Sequence, residues 1–263
     1  MPFKFLPSQK CVLLLALFVT GNASATWSII VDNPTTGTIA VAGASCSYLV
    51  YGIAEVVPGK GVVIVQAASN AQARTDAVKW LAEDVPPEKI LARITAASST
   101  YAPAEQQYAL LLSDGTSPLA FTGDAVEGFK GSLGAPHVSV QANTMATNQV
   151  VPKTFAALHP ANWNDDTAMA DDVMQALAAG AAAGGDKRCQ GTGSASAFVS
   201  LFRKTDNPNM PWLTLVIFGL EPGSQDAVAL LDQRYRSWRK TGMADPSTRV
   251  FVVPAPVAVE RAE

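Results

Sequence analysis

The sequence is short of the residues that usually announce a chemistry: 263 residues hold two histidines and three cysteines. His137 and His159 stand far apart, and neither has a cysteine or carboxylate nearby at a metal-ligand spacing, so no zinc site is read. Gly43-Ala44-Ser45-Cys46-Ser47 lacks the closing glycine of a G-x-S-x-G nucleophile elbow. Gly191-Thr192-Gly193-Ser194 lacks the Gly-Lys-Ser/Thr ending of a phosphate loop. Basic residues are not in excess, at 19 against 22 acidic ones, which argues against nucleic acid as a partner. The apolar run from Cys11 to Val19 falls well below the roughly 20 residues that span a bilayer, and no later run reaches that length. No motif calls for a metal or a cofactor.

What is present begins with an export signal. Lys4 and Lys10 form its positive part, Cys11 to Val19 its apolar part, and Ala23 and Ala25 its small-residue cleavage positions. Cys11 stands in front of the apolar run, so no lipoprotein cysteine follows it. The expected division is a signal peptide over 1–25, one domain over 26–245 and a loosely held tail over 246–263. Signal peptidase is the expected maturation partner, and the product is expected in a periplasm or outside the cell, off the membrane once cut. Without Lys4 and Lys10 the mature chain has 17 basic against 22 acidic residues. An exposed apolar face would support a homo-oligomer, but nothing in the sequence locates one.

Cutting after Ala25 would make Thr26 the first residue. Its α-amine, with a reference pKa of about 8, would be partly neutral near pH 7 and could act as general base for the hydroxyl on the same residue. By position alone, a threonine that simply follows a signal is the plainer reading.

The rest of the chain alternates grouped strands with grouped helices. Trp27 to Val31 and Thr38 to Ser45 flank a turn-rich Asp32 to Gly37, a hairpin pattern, and their continuous apolar character predicts burial on both faces. Val62 to Ala68 reads as a third strand. Helices follow from Ala71 and from Pro87, separated by Pro86-Pro87. Tyr108 to Leu112 and Pro118 to Gly123 read as a hairpin, His137 to Asn143 as a strand, and Asp165 as the cap of a helix to about Ala179. Strands over Ser194 to Phe202 and Trp212 to Phe218 precede a helix from about Gln225 to Arg239. This order favours an α+β fold, a four-layer αββα sandwich of two antiparallel sheets with outer helices.

Polar residues at the ends of apolar strands are the candidate site. Gln66, Asn70, Gln141 and Asn143 could converge on Thr26, Asn143 as an oxyanion donor and Gln66 as a positioning group; each is equally a strand-end or turn cap. Asp186 and Arg188 follow Gly184-Gly185, which permits an unusual backbone path. Arg188 could bind a substrate carboxylate, or the pair could be a structural salt bridge. Cys46 and Cys189 are the two cysteines left after maturation; in an oxidising compartment an even pair favours a disulfide, though two cysteines can also be buried singly. A bridge would pin the Arg188 loop beside the second strand.

Five stretches, Thr26-Trp27-Ser28-Ile29-Ile30, Gly43-Ala44-Ser45, Val65-Gln66-Ala67 through Asn70, Val140-Gln141-Ala142-Asn143 and Ala183 to Arg188, together resemble the bacterial DUF1028 family of the Ntn-hydrolase superfamily. The resemblance runs from Thr26 to about Lys240. It implies an αββα fold and a mature chain opening with the nucleophilic threonine. Cys46, Cys189 and a short insertion after Cys189 depart from the pattern, and Thr26 does not. The expected function is hydrolysis of a carbon–nitrogen amide bond in a small-molecule or peptide substrate. The alternative is an exported binding or assembly protein that keeps the fold without catalysis.

Overall fold

Thr26–Asp32 (β1) and Ile39–Ser45 (β2) are buried along their whole length, as their mostly apolar character predicts. The turn between them is held by Asn33, whose side-chain oxygen accepts from the N–H groups of Thr35 and Thr36 at 2.8 and 3.2 Å. A computed structural model describes residues 25–98, 100–221, 224–242 and 250–254; the expected signal segment up to residue 24 lies outside them.

The described residues form an α+β protein with two antiparallel sheets and five helices. Ala54–Val57 (β3), Gly61–Ala67 (β4), Gln106–Leu112 (β5) and Leu119–Thr122 (β6) make the smaller sheet, in that order. The larger sheet joins β1 and β2 to Phe129–Ala135 (β7), Val138–Met145 (β8), Ser196–Phe202 (β9) and Leu213–Phe218 (β10). Its order is β10-β9-β2-β1-β8-β7, so β1 is central, flanked by β2 and β8. A seventh strand, Val250–Pro254 (β11), lies inside the span expected to be a tail and pairs parallel with β10.

The helices are Ala71–Ala82 (α1), Pro87–Thr95 (α2), Val150–Ala156 (α3), Asp166–Ala182 (α4) and Ala227–Ser237 (α5). Each start has a local cause where the sequence supplies one: Asn70, Asp165 and Asp226 accept from first-turn N–H groups, and Pro87 opens α2. None is long and apolar enough to cross a membrane.

Three apolar cores follow from the period-two alternation of the strands. Trp27, Ile29 and Val31 of β1 point to one side and pack with Met169, Val173 and Leu177 of α4 and Leu231 of α5. Ile30 points to the other side and meets Val62 and Ile64 of β4, with Ala109 and Leu111 of β5, between the sheets. Val63, Val65, Tyr108 and Leu110 face outward from the smaller sheet onto Ala73, Ala77, Ile90 and Ile94 of α1 and α2. Each fully buried large aliphatic side chain contributes roughly 1.5–3 kcal/mol of transfer free energy.

One glycine decides how α4 meets β1. A Cβ on Gly180 would come within 2.6 Å of the Trp27 indole nitrogen and 2.5 Å of Thr154 Oγ1, so only glycine lets the helix lie directly on Trp27. The indole N–H donates to the Leu177 carbonyl at 3.3 Å. Four elements go beyond the sequence reading: β3, β7, α3 and β11. The β7 segment carries two glycines and is mostly exposed, and α3 contains Pro152, so neither shows a clear period.

Candidate active site

Alternation along β1 sends Thr26 and Ser28 to the same face as Ile30, toward the smaller sheet. Thr26 is paired in register with Ser45 of β2 on one side and Asn143 of β8 on the other. From the facing sheet, Gln66 of β4 and Gln107 of β5 stand opposite each other in register. The space between the sheets is apolar around Ile30 and polar where these residues meet.

The amides form a continuous buried network. Gln66 Nε2 donates to Gln107 Oε1 at 2.7 Å and, more weakly, to the Thr26 carbonyl at 3.4 Å. Gln66 Oε1 accepts from Ser28 Oγ at 2.6 Å. Asn143 Nδ2 donates at 3.4 Å to the same Thr26 carbonyl and at 3.3 Å to Gln107 Oε1. Asn143 Oδ1 is buried without a partner among the described residues, an arrangement that costs about 1–3 kcal/mol. Gln107 and Ser28 were not singled out from the sequence. Gln107 carries the same signal as Gln66, a polar residue at the mouth of an apolar strand.

Gln141 belongs to this network at one remove. Its Nε2 donates to Ser28 Oγ at 2.7 Å and its Oε1 accepts from Ser139 at 2.9 Å, so it holds the network from behind. Asn70 is not brought to the site. Its Oδ1 accepts from the Ala73 N–H at 2.9 Å as the cap of α1, and its Nδ2 reaches the Tyr101 carbonyl at 3.4 Å. The cap reading holds for it.

Asp186 and Arg188 arrive from the other direction. Gly184 and Gly185 take φ values of 117° and 55°, turning the chain after α4 so that Asp186 enters beside β2. Asp186 is buried and heavily used: its carboxylate accepts from the Cys46 N–H at 2.8 Å, the Arg188 N–H at 2.8 Å, and Arg188 Nη2 at 2.7 Å. Arg188 Nη2 also donates to the Ala25 carbonyl at 3.0 Å. The two sequence readings for this pair are thus compatible, since one guanidinium makes the ion pair and still reaches the bond before Thr26. Cys46 and Cys189 stand at disulfide distance, their Cα atoms 5.5 Å apart, and tie the end of β2 to this loop. Cys46, Cys189 and Asp186 also place their donor atoms within 4.8 Å of one another. Paired sulfurs and a carboxylate spent on Arg188 are poor metal ligands, since a thiol must bind as thiolate.

Thr26 itself is 1 % exposed, with Ala25 fully buried in front of it. A groove of about 920 Å³ lies elsewhere, between α4 and α5, lined by Trp27, Met174, Ala178, Tyr235 and the 191–194 turn. It is on the helix side of the larger sheet, the face opposite Thr26.

The family model described as a family of unknown function, DUF1028, matches residues 26–219. The chain belongs to DUF1028. Its match begins at Thr26, the residue on which the strand ends and the amides converge. A solved DUF1028 structure, protein SPO2555 from Silicibacter pomeroyi, is similar to this chain at 24 % identity, covering 84 % of this chain and 93 % of that one, with a TM-score of 0.67. That likeness bears on the fold. No curated protein matches this DUF1028 chain.

Proposed function

We propose that this DUF1028 protein is an exported amide hydrolase of the Ntn type, its two sheets and flanking helices forming the αββα sandwich of that superfamily, and that removal of residues 1–25 creates its nucleophile. The observation that carries the reading is the register of Thr26 between Ser45 and Asn143, opposite Gln66 and Gln107, in a cluster of buried amides.

The chemistry requires only the first residue and a substrate. Thr26 Oγ1 adds to the amide carbonyl carbon while its proton passes to the α-amine. The resulting ammonium returns a proton to the leaving nitrogen, the C–N bond breaks, and an ester on Thr26 remains. Water, deprotonated by the same amine, then releases the acid and restores the hydroxyl. Asn143 and Gln66 both direct their N–H groups at the Thr26 carbonyl, so this reading gives them a positioning role. The oxyanion role expected of Asn143 is set aside because its donor is spent on Thr26 and Gln107. The disulfide between Cys46 and Cys189 suits an oxidising compartment.

The burial of Thr26 favours the second reading, a catalytically silent exported protein. The two separate on the mature terminus and one variant. N-terminal sequencing of exported protein is expected to read Thr26 first, and Thr26→Ala is expected to abolish amide hydrolysis with the melting temperature unchanged. An exported chain starting elsewhere, or a Thr26→Ala protein with undiminished function, supports the silent reading.

A further inference from the structure

The carbonyl of Ala25 is not held by the sheet. It accepts from Ser45 Oγ at 2.6 Å and from Arg188 Nη2 at 3.0 Å, side chains 20 and 163 positions away in the chain. The guanidinium is in turn fixed by Asp186, through Nη2 at 2.7 Å and Nε at 3.2 Å, and it lies 3.2 Å from both Ser45 Oγ and Ser47 Oγ. The Cys46–Cys189 link and the Cys46 N–H to Asp186 hold the two sides of this arrangement together. A cation and a hydroxyl are thus preorganised around the oxygen of the carbonyl that is bonded to the nitrogen of Thr26.

From this we infer that Ala25 occupies the acyl subsite, and that Arg188 with Ser45 holds the carbonyl oxygen under attack and afterwards the carboxylate of the acid product. The inference rests on Thr26 as the nucleophile. Once the bond before Thr26 is cut, both donors lose the Ala25 oxygen, and a substrate carbonyl taking its place is held beside the first residue, the kind of preorganised positioning that favours attack. Arg188 then faces the oxygen that becomes negative, where a fixed charged donor is worth most. The space is small: the Ala25 methyl packs in the apolar cluster that holds Ala44 and Ala197. The substrate class is therefore an amide whose acyl side ends in a residue of alanine size, and the acid product is a short acid ending in such a residue.

The test uses protein beginning at Thr26, which keeps every strand and helix of the fold, titrated calorimetrically with N-acetyl-alanyl-seryl-alanine, matching positions 23 to 25, and with its C-terminal amide. The acid is expected to bind at least ten-fold more tightly than the amide. That preference should persist in Thr26→Ala, disappear in Arg188→Gln, and survive in part in Arg188→Lys, which keeps a point charge. Protein retaining Ala25 should bind neither. Equal binding of acid and amide, no binding of either, or an undiminished preference in a folded Arg188→Gln protein overturns the inference. The comparison of acid with amide needs no variant, so it stands even where Arg188→Gln does not fold. An intact preference without any adduct of Thr26 with a β-lactone leaves the anion subsite and removes the nucleophile; an adduct without the preference does the reverse.

Discussion

At its Asp32 end, β1 runs into polar groups that serve the turn. Asp32 Oδ2 pairs with His137 Nδ1 at 2.9 Å, Asn33 Nδ2 reaches the Asp165 carbonyl at 3.0 Å, and Thr36 Oγ1 donates to Asp166 at 2.6 Å. At its Thr26 end the same strand meets four side-chain amides and an arginine, and two backbone carbonyls in succession, those of Ala25 and Thr26, are held by side chains. Each end also leaves one buried oxygen without a partner among the described residues, Asp32 Oδ1 and Asn143 Oδ1. An orphaned acceptor therefore does not distinguish a site from a turn. What distinguishes the Thr26 end is convergence: both sheets and a separate loop aim donors at consecutive main-chain oxygens on either side of one peptide bond. The Asp32 end ties loops together; the Thr26 end gathers side-chain donors around two consecutive main-chain carbonyls.

Substitutions at Thr26, at the disulfide, at Asn143 and at Asp32 sharpen that contrast, from the largest effect down. Thr26→Ala is expected to lower amide hydrolysis by at least 10³-fold, as removal of an essential nucleophile does, while Thr26→Ser keeps measurable turnover; equal activity in both would erase the difference between the ends. Removing the bridge with Cys46→Ser and Cys189→Ser together should cost about 2–4 kcal/mol in chemical denaturation, and should weaken the preference for the acid over its amide because hydrogen bonds alone then tie the Arg188 loop to β2. Asn143→Ala is expected to cost no more than about 1 kcal/mol, since it removes an unsatisfied oxygen along with two long hydrogen bonds, yet to slow acylation of Thr26 about ten-fold or more by loosening its orientation. A large stability loss without a kinetic one would make Asn143 structural, like Asn33.

The smallest expected effect is at the other end and depends on pH. Burial raises the Asp32 carboxyl above its ordinary range, against the opposing hydrogen bond and charge of His137. A folded-state value above the unfolded one means that the contribution to stability is present below the unfolded value of about 3.8 and lost as pH rises through the folded one. Asp32→Asn should therefore gain on the parent protein in melting temperature as pH rises across that window, with hydrolysis unchanged. A change in turnover would show that the two ends are coupled.

Legibility of the fold and the site differed by residue. β1, β2 and β4 are mostly apolar runs, and burial on both faces is what such runs require. The cap at Asp165 and the break at Pro86-Pro87 are local events and were readable as such. Gln66 and Asn143 were legible as polar ends of apolar strands, but Asn70 carried the same signal and was spent on α1. A side chain that can satisfy a neighbouring N–H gives no sequence cue to whether it does. Gln107 was hidden because the strand was read from Tyr108, two residues after its observed start at Gln106. Ser45 and Arg188 meet at Ala25 across 143 positions, a contact that only the assembled sheet and the Gly184-Gly185 turn create.

The central claim is tested most directly by intact mass spectrometry of exported protein before and after incubation with an electrophilic β-lactone, followed by peptide mapping. The account predicts a chain beginning at Thr26 and one covalent adduct on that residue, absent from Thr26→Ala. A chain carrying even one residue ahead of Thr26, or an adduct that survives Thr26→Ala, contradicts it.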